Sequence, residues 1–320
     1  MNKLVNKTNL IFGCTGQDGS FLCESLLKKG DKVIGITRRG GKIRNHIKLG
    51  IDSDIEVRQG EINNFTTIEK IISKYQPDRI FNLAAQSSVG RSFIEPMETI
   101  ECIINGTLNL LEVSKKLEYS GKLFFAGSSE MFGNTTKQAN VNHNQQPLSP
   151  YAVGKQASFN LVKMYRNIHN LKCMTGVLFN HESHLRNENF VTQKIIKGAK
   201  QIKNKQLNKI KLGNINISRD WGWAPDYVEA MQLIANSNGL KDHVICSGIL
   251  NSLKTFIEKV FIAYDLDWEE HIEIDKNLFR PCEIKQNYGN PDPLFNDLGW
   301  RGKENLDTII IKLIELSNNQ

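Results

Sequence analysis

The chain has 320 residues, 40% of them hydrophobic and 23% charged, with 41 Lys+Arg against 34 Asp+Glu for a formal net charge of +7. That length buries a core without disulfide staples, a mean hydropathy of −0.37 excludes a polytopic membrane protein, and no apolar run approaches the ~18 residues of a spanning helix. Lysines are spread along the chain apart from a basic stretch at 38–48, so no nucleic-acid partner is expected, and the six cysteines show neither C-x-x-C pairs nor metal-ligand spacing, which predicts reduced thiols and no metal site.

In chain order, the first run, Asn9–Cys14, has an apolar stretch, Leu10-Ile11-Phe12, that is too short for a signal-peptide core, so a cytoplasmic protein is expected. It reads as a strand, passes into Gly13-Cys14-Thr15-Gly16-Gln17-Asp18-Gly19, and is followed by helical spacing over Phe21–Lys29. Glycines at that junction let backbone approach a diphosphate and aim the helix N-terminus at its charge. A second strand, Lys32–Thr37, ends in Arg38-Arg39 with no acidic residue beside them. A guanidinium fork suits a ribose 2′-phosphate, whereas a carboxylate suits the free hydroxyl, so NADP is expected rather than NAD.

Further strands are predicted at Ile55–Gln59, Arg79–Leu83, Lys122–Ala126 and Met174–Phe179, with helices over Ile68–Lys74, Thr107–Leu117 and Gln156–His169. This alternation predicts an α/β fold, a Rossmann-type doubly wound parallel sheet covered by helices on both faces, over residues 1–179. Beyond residue 180 the alternation weakens. Helices near Val191–Lys203, Leu253–Tyr264 and Asn305–Ser317 suggest a smaller C-terminal substrate-binding domain over 180–320, with about 214–250 returning to the sheet.

Tyr151 and Lys155 form Y-x-x-x-K, which a helix places on one face. A nearby ammonium favours tyrosinate, so the phenol can accept a hydroxyl proton as a hydride leaves the same carbon. The pair follows the fifth strand, whose end carries Ser128-Ser129-Glu130, and carboxyl ends of parallel strands face the ligand crevice.

With these motifs the chain resembles the extended short-chain dehydrogenase/reductase superfamily over nearly its full length, and within it the GDP-mannose 4,6-dehydratases. The narrower resemblance lies in Thr15-Gly16-Gln17-Asp18-Gly19, Arg38-Arg39, Asn82-Leu83-Ala84-Ala85-Gln86-Ser87, Ser129-Glu130, Leu178-Phe179-Asn180-His181-Glu182-Ser183, Asn189-Phe190-Val191-Thr192, Arg219-Asp220-Trp221-Gly222 and Phe279-Arg280-Pro281. It implies an NADP-dependent dehydration of a GDP-sugar, GDP-mannose or a relative such as a GDP-manno-heptose, to the 4-keto-6-deoxy sugar. Tyr151 would take the C4 hydroxyl proton while the hydride passes to NADP. Glu130 would take the C5 proton as the C6 hydroxyl departs, and the hydride would return to C6. Ser128, where the family usually has threonine, would bond the C4 oxygen, and Lys155 would hold the nicotinamide ribose.

The same resemblance implies cofactor contacts from Gly13, Thr15, Gly16, Gln17, Asp18 and Gly19 and from Leu83, Ala84, Ala85, Gln86 and Ser87, with His181 and Arg186 approaching the cofactor. Glu61-Ile62 stand where an aspartate usually bonds the adenine. Asn180, Asn189, Lys194, Arg219, Arg280 and Glu283 match positions around the substrate diphosphate. The tryptophans of Asp220-Trp221-Gly222-Trp223 are expected to pack between the two halves. A homodimer through the helices around Thr107 and Tyr151 is expected; the short loop Gly40–Lys48 stands against the alternative, a tetramer. Two other activities stay open: a C4 oxidoreductase or epimerase of a GDP-sugar, which would leave Glu130 idle, and a non-catalytic dinucleotide sensor, which has little use for the Tyr-Lys pair.

Overall fold

The computed structural model describes residues 6–38 and 44–318. Its strands are, in chain order, β1 (Thr8–Phe12), β2 (Lys32–Thr37), β3 (Glu56–Gln59), β4 (Arg79–Asn82), β5 (Lys122–Ser128), β6 (Cys173–Leu178), β7 (Asn180–Glu182), β8 (Ile210–Leu212), β9 (Ser218–Trp223), β10 (His243–Ile245), β11 (Leu250–Ser252), β12 (Ile272–Ile274) and β13 (Gln286–Asn287). Seven of them form a parallel sheet in the order β3-β2-β1-β4-β5-β6-β10.

The apolar runs of these strands bury both faces, because successive side chains point to opposite sides. Leu10, Phe12, Ile80, Leu123 and Phe125 face the helices Phe65–Tyr75, Gly106–Lys116 and Pro150–His169, where Ile68, Ile72, Leu110 and Val162 complete the layer. Ile11, Phe81 and Phe124 face the helices Gln17–Lys28 and Ala224–Asn236, against Leu22, Leu26 and Met231. Strand order reverses between β1 and β4, and such a reversal opens a crevice over the carboxyl ends of the strands.

After β6 the chain builds a second core in which Ile195, Ile196 and Ala199 of the helix Val191–Lys203 meet Phe256, Ile257 and Val260 of the helix Leu253–Ala263. Trp221 lies 5.6 Å from Phe256, ring to ring, and Trp223 joins the same cluster, so both tryptophans belong inside this second core rather than between the two halves. In β9 the fully buried carboxylate of Asp220 accepts hydrogen bonds from the backbone N–H groups of Ser247, Gly248 and Gly289 and from the Ser247 hydroxyl. One side chain thereby fixes two connections at once, the one between β10 and β11 and the one after β13.

The expected α/β sheet is present, with shifted ends. The strand predicted over Lys122–Ala126 continues to Ser128, the first helix starts at Gln17 instead of Phe21, and the helix expected from Gln156 starts at Pro150. Helix Ala224–Asn236 was not expected at all. It packs along Gln17–Lys28 and leads into β10, at the sheet edge. All six cysteines are free, and none of the described helices is long and apolar enough to cross a membrane.

Candidate active site

The crevice at the carboxyl ends of β1, β4, β5 and β6 is about 680 Å³ in volume, within the range of a cofactor or substrate site. Its floor begins at the glycine turn. Gly13 has φ +86°, which favours glycine, and a Cβ there would lie 2.9 Å from the backbone nitrogen of Ala84. A Cβ on Gly19 would lie 2.1 Å from the Gly13 carbonyl oxygen. Both glycines are therefore needed for the turn to close beneath the helix Gln17–Lys28, whose unpaired N–H groups open into the crevice.

Asp18 sits in the first turn of that helix, where its negative charge would repel a bound anion. The arrangement offsets this. His181 Nε2 lies 3.0 Å from both carboxylate oxygens of Asp18, while His181 Nδ1 faces the Phe179 carbonyl at 2.7 Å. Burial pushes the Asp18 carboxyl up, but the charge and hydrogen bond of His181, the Gln17 amide and Arg186 outweigh it and hold the group below the ordinary carboxylate range. Ser183 donates to Gln17 Oε1 at 2.8 Å, so β7 and the turn after it brace the phosphate-binding loop.

Extension of β5 to Ser128, followed by a 3₁₀ turn over Ser129–Phe132, turns Glu130 into the crevice. The Glu130 N–H donates to Ser128 Oγ at 3.3 Å. Ser149 caps the helix Pro150–His169 by accepting from the Ala152 N–H, with Pro150 in the first turn, and this start delivers Tyr151 and Lys155 to the same wall. Lys155 Nζ donates to the Ala126 carbonyl at 2.7 Å and lies 5.7 Å from the Tyr151 ring centre.

The pair differs from expectation in its electrostatics. Burial pushes the Tyr151 phenol up to about 12, against the lowering effect of its hydrogen bond with Ser128, and burial pulls the Lys155 ammonium down to about 8. Desolvation of both groups thus opposes the tyrosinate that a neighbouring ammonium favours. The depressed lysine has a measurable consequence. Between about pH 8 and an unfolded value of ~10.4 the unfolded chain binds more protons than the folded one, so this group makes stability rise with pH across that window. Denaturant midpoints are expected to climb more steeply there in the wild type than in Lys155→Met; equal slopes would mean that the amine is solvated.

The wall contributed by the second core is basic. Arg219 is buried, donates from Nη1 to the carbonyls of Ser218 and Ile284 at 2.9 and 2.8 Å, and has Nη2 3.5 Å from Glu283. Glu283 lies between Arg219 and Arg280, and burial pushes its carboxyl up despite those two charges. Arg186 stacks on Phe190 at 3.7 Å and has Nε 3.7 Å from Glu182. Asn180, Asn189 and Lys194 complete this side of the crevice.

Of the residues singled out in the sequence, the crevice brings together Gly13, Gly16–Gly19, Leu83, Ala85, Ser87, Ser128, Glu130, Tyr151, Lys155, His181, Arg186 and the basic wall. Thr15, Ala84, Gln86, Glu61, Ile62 and Glu283 stand behind its surface or beyond its edge, and Arg39 lies outside the described residues. Arg38 is exposed at the end of β2, with Nη1 3.5 Å from Glu98 Oε1. Among the lining residues that were missed are Arg44, Asn45 and Lys48. Asn45 donates from its backbone to the Thr15 carbonyl at 3.3 Å and from Nδ2 to the Leu185 carbonyl at 3.0 Å, bridging the glycine turn and the loop after β7. Their only signal was the basic stretch itself.

A family model described as GDP-mannose 4,6 dehydratase matches residues 10–313. GDP-mannose 4,6 dehydratase 1 of Arabidopsis thaliana is 36% identical over 321 residues, covering 97% of this chain and 89% of that protein. Among solved structures, dTDP-glucose 4,6-dehydratase of Bacillus anthracis in complex with NAD superposes with a TM-score of 0.86 at 18% identity, covering 98% of this chain and 97% of that one. RMD of Pseudomonas aeruginosa, complexed with NADPH, superposes with a TM-score of 0.81 at 18% identity, covering 98% and 99%. At these identities the two superpositions establish the fold.

Proposed function

The chain belongs to the GDP-mannose 4,6-dehydratase family, a family of hydro-lyases, and on that premise we propose that it removes water from a GDP-hexose, with a nicotinamide dinucleotide, NADP, held over the glycine turn. The cradle that a Cβ on Gly13 or Gly19 would fill, at the N-terminus of the helix Gln17–Lys28, fits a diphosphate. Gly13, Gly16, Gln17 and Asp18 would hold it, with Leu83, Ala85 and Ser87 on the ribose side and Lys155 on the nicotinamide ribose. Arg38 supports NADP. Relatives of the fold solved with NAD and with NADPH support the cofactor class.

When bound, a nicotinamide would supply an acceptor for the C4 hydride, to be given back at C6 within each turnover. Tyr151 accepts the C4 hydroxyl proton, and Ser128 orients that hydroxyl. The resulting C4 ketone acidifies the C5–H. Glu130 removes the C5 proton and hands it to the departing C6 hydroxyl, which leaves as water. Tyr151 then returns its proton to C5. Arg219 and Arg280 neutralise the substrate diphosphate by charge-assisted hydrogen bonds.

The observation that carries this reading is Glu130 in the same crevice as Ser128, Tyr151 and Lys155, since C4 oxidoreduction or epimerisation has no use for a carboxylate beside C5. Incubation with GDP-mannose, followed by mass spectrometry of the nucleotide sugar, is expected to reveal loss of one water. An unchanged mass would favour epimerisation, and loss of two hydrogens simple oxidation. Running GDP-manno-heptose beside GDP-mannose and comparing kcat/KM assigns the sugar. For assembly we propose a homodimer, supported by exposed Ile94, Met97, Val153 and Ile168 on and beside the helix Pro150–His169.

A further inference from the structure

Resting on the dinucleotide reading above, we infer that Glu98 is a specificity-determining residue that competes with a ribose 2′-phosphate for Arg38 and so holds the preference for NADP over NAD low. Glu98 Oε1 lies 3.5 Å from Arg38 Nη1, and Glu98 Oε2 lies 3.5 Å from Arg91 Nη2, so one carboxylate bridges two guanidinium groups. Arg91 is itself committed to Glu95, at 2.6 Å from Nε to Oε2. Among the described residues two arginines thus face two carboxylates, and the charge that Arg38 would offer a phosphate dianion is already shared with Glu98.

Glu98 is anchored through its neighbour. Thr99 is fully buried, donates to the Glu95 carbonyl at 2.8 Å, and accepts from Gln86 Nε2 at 3.2 Å. Gln86 follows β4, behind the crevice surface that its neighbours Ala85 and Ser87 line. The chain therefore holds the Glu98 backbone against the segment that borders the cofactor site, with its carboxylate directed at the guanidinium that would take the phosphate. As an exposed pair, Arg38 and Glu98 add little to stability. Their chemistry matters for what approaches: a 2′-phosphate must displace the carboxylate and then sit beside it as a like charge, whereas a 2′-hydroxyl meets neither cost.

Isothermal titration of NADP and of NAD into the wild type, Glu98→Gln, Arg38→Ala and the double variant at low salt tests this. The ratio of the two affinities is expected to move about tenfold toward NADP in Glu98→Gln. In the Arg38→Ala background the same substitution is expected to leave the ratio unmoved, because the competition has lost its object. Glu101→Gln removes an equal charge from the same segment without touching Arg38 among the described ion pairs, and is expected to leave the ratio within twofold. An unmoved ratio in Glu98→Gln, a shift toward NAD, or an equal shift in Glu101→Gln would overturn the assignment. Absence of binding by the wild type would remove the dinucleotide reading itself, and it is seen before any variant is measured.

Discussion

Glu130→Gln is expected to oxidise its substrate at C4 and stop there. The amide cannot take the C5 proton, so steady-state dehydration should fall by about 10²–10⁴-fold, the usual contribution of a placed general base. Because the oxidation step makes no use of Glu130, reduced nicotinamide should accumulate in an amount limited by enzyme. Turnover in deuterated water separates the two halves of the reaction: wild-type product carries solvent deuterium at C5, and the variant's sugar should carry none. Normal deuterium incorporation in Glu130→Gln would remove Glu130 as the base and return the epimerase reading to the front. Glutamine keeps the size of the side chain and the backbone N–H bond to Ser128, so a collapse of the fold does not offer an alternative explanation.

Tyr151→Phe is expected to lose the oxidation itself. The change deletes one oxygen, the acceptor of the C4 proton, and no contact to a phosphate, so cofactor affinity should stay near wild type while turnover falls by roughly 10³-fold. No reduced nicotinamide should appear in a single turnover. The two variants therefore stall at different points, one before oxidation and one after. Substantial turnover by Tyr151→Phe would show that another group accepts the proton. The high phenol value in the free protein, about 12, makes the pH dependence informative as well: wild-type turnover should rise with pH as the phenol deprotonates, and that limb should be missing from any residual activity of the variant.

The main sheet was legible because a parallel strand covered on both faces reads as an uninterrupted apolar run, as β1, β2 and β5 do. Tyr151 and Lys155 were legible because helical spacing alone holds residues four apart on one face. Helix Ala224–Asn236 escaped because it packs on β5 and β6 with the helix Gln17–Lys28 alongside it: Tyr227, Val228, Ala230, Met231, Gln232 and Ile234 are all buried, which erases the polar stripe that reveals a surface helix. The π-helical turn Glu101–Asn105 has no compositional mark, since it arises from one added residue in a helical run. Asn45 and Lys48 belong to the single helical turn Asn45–Lys48, with Arg44 just before it, and so short an element places its side chains by tertiary bonds such as Asn45 to Leu185, across 140 positions of sequence. The burial of Tyr151 and Lys155 was not legible for a related reason: proximity can be read from spacing, but desolvation depends on everything packed around the pair.

The late return of the chain to the main sheet imposes an order on synthesis. When residues 1–179 have left the ribosome, the layer made by Ile11, Phe81 and Phe124 still lacks the helix Ala224–Asn236 that covers it, and β6 lacks its neighbour β10. For the next several dozen residues the nascent protein must carry an open apolar surface and an unpaired strand edge together, the combination most prone to capture by other unfinished chains. Chaperone dependence during translation, and abrupt relief from it once β10 has been made, follows from where one helix happens to be encoded.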